Sequence, residues 1–218
     1  MQPLTNAAVA GSISDIVIDL GGVPLDRIQH DPAPGKATVQ DVLRVNANGR
    51  HCELVDGTLV EKAMGWRESL IAAFLIEIIG RFSRAQNLGL VTGPDGFLRI
   101  LGALVRSPDV AFFSWERLPN QRLPEESIPE CVPDLAVEVL SRGNTMAEMS
   151  RKRREYFHAG VRLVWMVDLP ARTVAVYTSL TDYVILDESQ QLSGQQVLPG
   201  LIIELAELFA ELDRQPPA

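Results

Sequence analysis

Residues 132 to 141, Val-Pro-Asp-Leu-Ala-Val-Glu-Val-Leu-Ser, decide the fold of this chain. Their composition predicts a strand over 135–140, and successive strand residues point to opposite faces. Leu135 would therefore lie on one face, and Ala136 and Glu138 on the other. A carboxylate among apolar neighbours must be paired, liganded or exposed, because an isolated buried charge is too costly. Glu138 is the first candidate functional residue, and a half-solvated Glu–Arg pair is the alternative interpretation.

A second acid precedes this strand in a Pro-Asp dipeptide. We predict a strand over 105–113, in which Pro108 has no N–H to donate to a ladder and so marks an edge or a bulge. Asp109 would project from that irregular point. Two acids and a base on neighbouring elements can hold a divalent metal against a phosphate. Asp109 and Glu138 are therefore candidate metal ligands.

A basic helix follows the strand. It is predicted over 146–158, opened by Thr145 and Glu148 as a capping box. Lys152 flanks the helix face that would pack on the sheet, but at about 100° per residue Arg153 lies nearer the centre of that face. Spacing leaves the basic partner of the two acids open between Lys152 and Arg153.

Two further acids have weaker patterns. Glu68 lies in the first turn of a helix predicted over 66–85 and leans toward its buried side, although the positive end of the helix dipole explains an acid there equally well. Glu53 lies in a hairpin predicted over 51–61 around an Asp-Gly turn. Its pattern alone is typical of a surface strand acid.

The charge of the 218-residue chain is unevenly distributed about a net value of −8. Residues 142–162 contain six basic residues and two acids, whereas residues 182–213 contain seven acids and no Lys or Arg. A basic face would therefore lie beside the candidate acids, although such runs are often only solvated helix faces.

Several classes of protein are not indicated. No apolar run approaches the roughly 20 residues that cross a bilayer, and the first basic residue is Arg27, so we expect no membrane span, no secretory signal and a cytoplasmic location. Cys52 and Cys131 form no spaced pair with each other or with the histidines, which argues against a zinc site. The glycine-rich loops of nucleotide-binding proteins are missing, so we expect no nucleotide cofactor.

The element order predicts an α/β (α+β) fold with one mixed β-sheet flanked by helices, preceded by the N-terminal β-hairpin. The predicted helices and strands not yet given cover 38–45, 88–91, 97–100, 163–167 and 173–178. A proline-rich segment near residue 32 separates an N-terminal arm, residues 1–36, from the domain, residues 37–212. Residues 213–218 form a C-terminal tail.

Six separated segments occur in the order typical of one family. Together they resemble the Uma family of restriction endonucleases, in the PD-(D/E)XK nuclease superfamily, over about residues 37 to 212. The segments are Glu53–Gly57, Ser107–Ala111, Val132–Ser141, Lys152–Tyr156, Gly160–Asp168 and Val197–Leu201.

The resemblance implies a restriction-endonuclease-like core with Asp109 and Glu138 as ligands of Mg²⁺ or Mn²⁺. It implies Lys152 as the basic member, since position 140, where the superfamily usually has lysine, is Leu. Many relatives have His where this chain has Glu68, and an acid there could still contact metal or water. Glu53 completes the set of candidate catalytic residues.

The function implied is metal-dependent hydrolysis of DNA phosphodiesters. Arg151, Arg153 and Arg154 would approach the DNA backbone, and a homodimer would place two sites for the two strands. The acidic segment would face away from DNA or mediate self-association. The alternative is an inactive nuclease fold that serves as a DNA- or protein-interaction module, which the net acidity favours. A carboxylate-pair hydrolase acting on sugars gives no role to the lysine, and aromatic content is only 6%.

Overall fold

Residues 12–216 are described in a computed structural model of the chain. Residues 1–11 of the predicted arm and 217–218 of the predicted tail lie outside them. The α-helices of the described part are α1 (Ile13–Asp19), α2 (Val39–Ala47), α3 (Trp66–Ala85), α4 (Met146–Ala159) and α5 (Leu205–Ala210). No helix within this range is long and apolar enough to cross a membrane.

The strands form a mixed architecture. They are β1 (Cys52–Val55), β2 (Thr58–Glu61), β3 (Gly89–Thr92), β4 (Leu98–Leu101), β5 (Leu104–Arg106), β6 (Val110–Ser114), β7 (Leu135–Leu140), β8 (Leu163–Asp168), β9 (Thr173–Tyr177), β10 (Tyr183–Asp187), β11 (Gln191–Ser193) and β12 (Ile202–Glu204). The largest sheet has the order β10-β9-β8-β7-β6-β3, in which β7 and β8 are parallel and the other neighbours are antiparallel. The predicted α/β (α+β) class with a mixed sheet is confirmed.

The prediction of one sheet was wrong. Strands β1, β2, β4 and β5 form a second sheet with the order β2-β1-β5-β4, and β11 and β12 form a small third one. Strand periodicity specifies which residues share a face, but it does not specify which strands pair. The hairpin of β1 and β2 around Asp56 and Gly57 is present as predicted.

The prediction of one continuous strand over 105–113 was also wrong. The segment forms two strands in two different sheets. Strand β5 pairs with β1 and β4, and strand β6 pairs with β3 and β7. Residues 107–109 carry the chain from one sheet to the other. Pro108 lies in this crossing, where its missing N–H costs no ladder hydrogen bond. The crossing leaves Asp109 at the junction of the sheets.

Strand β7 separates two layers of the core. Leu135, Val137 and Val139 belong to the apolar cluster that α3 and α5 cover. Ala136 lies on the opposite face, in a cluster to which α4 contributes Met149. The alternation predicted for β7 is therefore confirmed, and it turns Glu138 toward α4.

Residues 12–36 pack against the hairpin. Leu20, Val23 and Ile28 are buried in a cluster with Val55 and Val60. A bridge between Ile28 and Val60 extends the edge of the second sheet. The segment therefore covers the outer side of β2, and its buried residues make it part of the packed structure.

The acidic segment after residue 182 also folds onto the core. It supplies β10, β11, β12 and α5, for which the sequence analysis had assigned no elements. Leu192, Ile203 and Leu208 are buried in the cluster that contacts α3. Its acids lie between apolar anchors, so the segment is a structural layer as well as a charged surface.

Candidate active site

A buried cluster of charged side chains lies where the two larger sheets meet α4. Its acids Glu53, Asp109 and Glu138 are at most 5% exposed. Two cations of the cluster are Lys152 and Arg106, each 3% exposed. Buried charges of this number persist only when each has partners, so the contacts of the cluster determine what it can do.

Glu138 and Lys152 form the centre of the cluster. The Lys152 ammonium lies 3.2 Å from Glu138 Oε2 and 3.3 Å from its Oε1, and also 3.2 Å from Glu53 Oε1. The Tyr156 hydroxyl, one turn further along α4, donates to Glu138 Oε1. Lys152 therefore bridges an acid of β7 and an acid of β1.

Asp109 is held by a lysine that follows β2. The Lys62 ammonium lies 3.0 Å from Asp109 Oδ1 and also donates to the Ser107 carbonyl. Asp109 Oδ2 accepts the Val139 N–H at 2.8 Å. Both oxygens of this carboxylate therefore have a donor, and its side chain is anchored to the strand that carries Glu138.

Glu53 is held from the second sheet. Its Oε2 accepts from Arg106 at 2.6 Å and its Oε1 accepts the Ser107 N–H at 3.0 Å. The Arg106 guanidinium also donates to Glu155 of α4. Arg106 therefore joins β5 to α4 and fixes the acid that its neighbour Lys152 contacts.

The same environment shifts the pKa values of Glu53 and Glu138 in opposite directions. Burial opposes the ionisation of Glu53, but Lys152 and Arg106 outweigh it and lower the pKa of that carboxyl to about 2. Burial raises the pKa of Glu138, and Lys152 offsets this only in part because Asp109 adds to the rise. Glu53 and Glu138 share the cation Lys152, but only Glu53 also has Arg106 as a partner, and this explains the difference between their pKa values.

Burial lowers the pKa of Lys152, but Glu138 and Glu53 raise it by more, so the pKa lies above its usual range. The pKa of Tyr156 is also raised, by burial and by the charge of Glu138. Lys152 is therefore a permanent cation near neutral pH and Tyr156 a neutral donor.

Asp109 directly precedes β6 and lies beside β7, the strand that carries Glu138. The antiparallel register pairs Val110 with Val137, and the Asp109 N–H bonds to the Val137 carbonyl at 2.9 Å. Asp109 is therefore level with Glu138 across the sheet. Within residues 12–216, no group of three or more His, Cys, Asp and Glu side chains is arranged to hold a metal ion.

Two carboxylates would nevertheless be enough to hold magnesium. Mg²⁺ takes one or two protein carboxylates and completes its shell with water and phosphate, and Asp109 and Glu138 would be the two protein ligands. The two ammonium groups of Lys62 and Lys152 now neutralise these carboxylates. A dication would replace part of that positive charge.

Four other candidates from the sequence lie outside these contacts. Glu68 is half-buried in the first turn of α3, with its carboxylate close to Gly65. Arg151 is paired with Asp56 and Glu155, and Arg153 lies 4.3 Å from the centre of the Tyr177 ring. The remaining one, Arg154, is exposed.

Lys62 and Arg106 were missed in the sequence analysis. Both lie at positions adjacent to motifs that were weighed, Lys62 just after the hairpin and Arg106 just before the Ser-Pro-Asp segment. A signal was present, because Lys62 is one of only three lysines in the chain and the 17 other basic residues are arginines. Their meeting depends on how two sheets join, which periodicity does not encode.

One cavity is lined by a residue of the cluster, and a second by residues of β7 and α4. One of about 360 Å³ is lined by Lys62 together with His51, Glu61 and Asp95. The other, of about 480 Å³, lies at the carboxyl end of β7 and is lined by residues that include Leu140.

The larger cavity has arginines at its rim. Arg67 and Arg142 line it and are exposed, and Arg172 lines it while paired with Glu188 and Asp213. The cavity also contains Glu68, so its lining has both signs of charge.

Comparison with solved structures identifies the class of fold. The fold is similar to the crystal structure of a putative nuclease of DUF820 from Anabaena variabilis, with a TM-score of 0.70 and 20% identity. The match covers 80% of this chain and 98% of that one. At this identity the likeness establishes a nuclease-like fold. No curated protein matches the chain.

The family follows from the sequence itself. Residues 39–206 match the Uma2 family model, whose description is "Putative restriction endonuclease". This range covers most of the 218 residues, so the chain belongs to the Uma2 family. The resemblance noted from the six segments is therefore confirmed.

Proposed function

We propose that this protein is a metal-dependent endonuclease that hydrolyses DNA phosphodiester bonds at the Asp109–Glu138 pair. The observation that carries the proposal is that the Asp109 carboxylate accepts the N–H of Val139, the residue after Glu138, while the Lys152 ammonium lies 3.2 Å from Glu138 Oε2. Family membership and the nuclease-like fold support the same reaction class. A second copy of the chain would provide the site for the other DNA strand.

The reaction requires charge stabilisation more than proton abstraction by protein. Water adds to phosphorus as the bond to the leaving oxygen breaks, giving a phosphate monoester and a hydroxyl group. Mg²⁺ or Mn²⁺ held by Asp109 and Glu138 would supply Lewis acidity and activate water. Lys152 stays protonated, so its contribution is electrostatic stabilisation of the charge that develops on the phosphoryl oxygens.

DNA would reach the site through the cavities beside it. Arg154 is the exposed member of the three arginines predicted to contact the backbone, and Arg67 and Arg142 line the larger cavity. Each phosphate contact releases counterions, so binding would weaken steeply as salt is raised. Arg151 and Arg153 would contact DNA only after leaving their present partners.

The burial of the cluster favours a second candidate function. Every acid of the centre has a cationic partner, as expected of an ion-pair network that holds two sheets and a helix together. In that case the protein would be a DNA- or protein-interaction module without nuclease activity. Metal binding separates the two candidates, because a purely structural network has no need of a dication.

The test compares wild type with Glu138→Gln in plasmid nicking with Mg²⁺ or Mn²⁺ and in calorimetric titration with Mn²⁺. We expect Glu138→Gln to lower the cleavage rate by about 100-fold or more and to weaken Mn²⁺ binding. Glu116→Gln is the matched control, since Glu116 is exposed on the surface. Wild-type protein that binds neither metal nor cleaves DNA would favour the interaction module.

A further inference from the structure

We propose that Lys62 is a second catalytic lysine. Its ammonium holds Asp109 in the metal-free protein and turns to a phosphate oxygen of the substrate when a divalent cation takes Asp109. The inference rests on the proposed nuclease function. It assigns to one residue both the ion pair with Asp109 and a part in the reaction.

The use of lysine in this chain is the first observation. Only three of its 20 basic residues are lysines, and two of these, Lys62 and Lys152, are in the buried cluster. Their side chains are each 4% exposed. Arg106 is the arginine of the cluster, and the third lysine, Lys36, is exposed, so two of the three lysines lie in this site. A flexible stem with a point charge suits a group that must change partners.

The contacts of Lys62 are the second observation. Its ammonium lies 3.0 Å from Asp109 Oδ1, and its other described partner is the carbonyl of Ser107. Asp109 Oδ2 is used by the Val139 N–H, so Oδ1 is the oxygen that Lys62 and a metal would both seek. Lys152 differs, because it bridges two glutamates and keeps Glu53 when Glu138 takes a metal.

The position of Lys62 at the solvent side is the third observation. It lines the cavity of about 360 Å³, whereas Asp109, Glu138 and Lys152 do not line either of the two cavities described above. It lies in the short segment between β2 and α3, outside regular structure. Lys62 is therefore the member of the buried cluster that a phosphate in this cavity could contact.

Charge balance connects these observations. A dication and an ammonium compete for one carboxylate oxygen, and the dication repels the ammonium once it is bound. Lys62 then becomes an unpaired cation beside the metal, where an anionic phosphate oxygen is the natural partner. Removing the lysine should therefore help the metal to bind and impair the reaction. A merely structural ion pair does not predict these opposite effects.

The experiment uses Lys62→Met with Lys36→Met as the control, because Lys36 is the exposed third lysine. Mn²⁺ affinity is measured by calorimetry, and cleavage is measured by plasmid nicking at saturating Mn²⁺. We expect Lys62→Met to bind Mn²⁺ about 10-fold more tightly and to cleave about 100-fold more slowly than wild type. Lys36→Met should match wild type in both assays.

Stability measurements keep the test decisive if Lys62→Met folds poorly. Mn²⁺ should raise its Tm by more than it raises that of wild type, since the dication replaces the lost ammonium at Asp109. Failure of Mn²⁺ to rescue the variant, or Mn²⁺ affinity no higher than wild type, would overturn the proposal. Tight Mn²⁺ binding with undiminished cleavage would overturn the catalytic role alone.

The proposed function fails separately. If wild-type protein binds Mn²⁺ but cleaves no DNA, both the proposed nuclease function and the proposed catalytic role of Lys62 are overturned. The affinity difference between wild type and Lys62→Met still decides whether the lysine competes with metal. Equal cleavage by wild type and Lys62→Met leaves the proposed nuclease function intact and overturns the catalytic role of Lys62.

Discussion

The two faces of strand β7 alternate from one residue to the next, and one face is apolar whereas the other carries a charge. The face that carries Leu135, Val137 and Val139 packs against α3 in an apolar cluster. The face that carries Glu138 meets α4, where Lys152 and Tyr156 provide donors. Both faces are almost completely excluded from solvent.

The difference shows what burial requires of a side chain. An apolar face needs only shape and volume, whereas a charged face needs a specific partner for each charge. The partners of Glu138 come from α4, and those of the nearby acids come from β5 and from the segment after β2. The charged face is therefore costly to assemble.

The largest effect is expected from unpairing the charged face. Lys152→Met should destabilise the protein by about 3–5 kcal/mol, because Glu138 and Glu53 lose the cation that they share. Adding Glu138→Leu to Lys152→Met should recover part of this loss, since the face then resembles its apolar counterpart. Urea denaturation of both single variants and the double variant measures the coupling. Strictly additive losses would show that the pair is not coupled.

A smaller effect is expected at the edge of the charged face. Arg27 donates to Glu148 of α4 at 2.8 and 3.0 Å and to the carbonyls of Glu61 and Gly143. Arg27→Met leaves the buried Glu148 without this cation and should lower the free energy of unfolding by about 2–3 kcal/mol. Arg44→Met, which removes half-exposed pairs, should cost no more than about 1 kcal/mol.

Urea denaturation again provides the measurement for Arg27→Met and Arg44→Met. Similar losses in the two variants would mean that residues 12–36 contribute no more than an ordinary surface contact. A larger loss for Arg27→Met would show that this segment, which precedes the family match, stabilises the start of α4.

The two glutamates of the charged face should affect the pH dependence of stability in opposite directions. The pKa of Glu53 falls from 4.5 to about 2 on folding, so its contribution is present above 4.5 and is lost as the pH falls toward 2. The pKa of Glu138 is raised, so the folded state keeps its proton to higher pH and stability falls as the pH rises through that pKa.

Free energies of unfolding from about pH 2 to about pH 7 test both signs. Glu53→Gln should flatten the loss of stability on the acid side, and Glu138→Gln should remove the decline above the ordinary carboxyl range. Unchanged pH profiles in both variants would mean that neither carboxyl changes its pKa on folding.

Much of the local structure could be predicted. The periodic apolar residues of α3 and the apolar run of β7 matched the structure to the residue, and the capping box of Thr145 and Glu148 begins α4 as expected. These features depend on neighbours within one turn or one strand. The face of Glu138 followed from the same local rule, because side chains alternate along every strand.

The meeting of the site residues could be predicted only in part. Glu138, Asp109 and Lys152 came from patterns and from family resemblance, whereas the hairpin pattern suggested a surface position for Glu53, which is 1% exposed. The strand through Pro108 was expected to stay in one sheet, so the contacts of Arg106 with Glu53 and Glu155 were not foreseen. Long-range pairing is set by whole-sheet packing, which no short window contains.

The sequence by itself determined helix α3, the start of helix α4, strand β7 and the face of β7 that carries Glu138, because those properties arise from backbone geometry over a few residues. Tertiary structure alone decided that Lys62, from the segment after a hairpin, reaches Asp109 and that Arg106 reaches across to α4. The physical reason is that a buried charge takes whichever partner the packing of distant elements brings within hydrogen-bond distance.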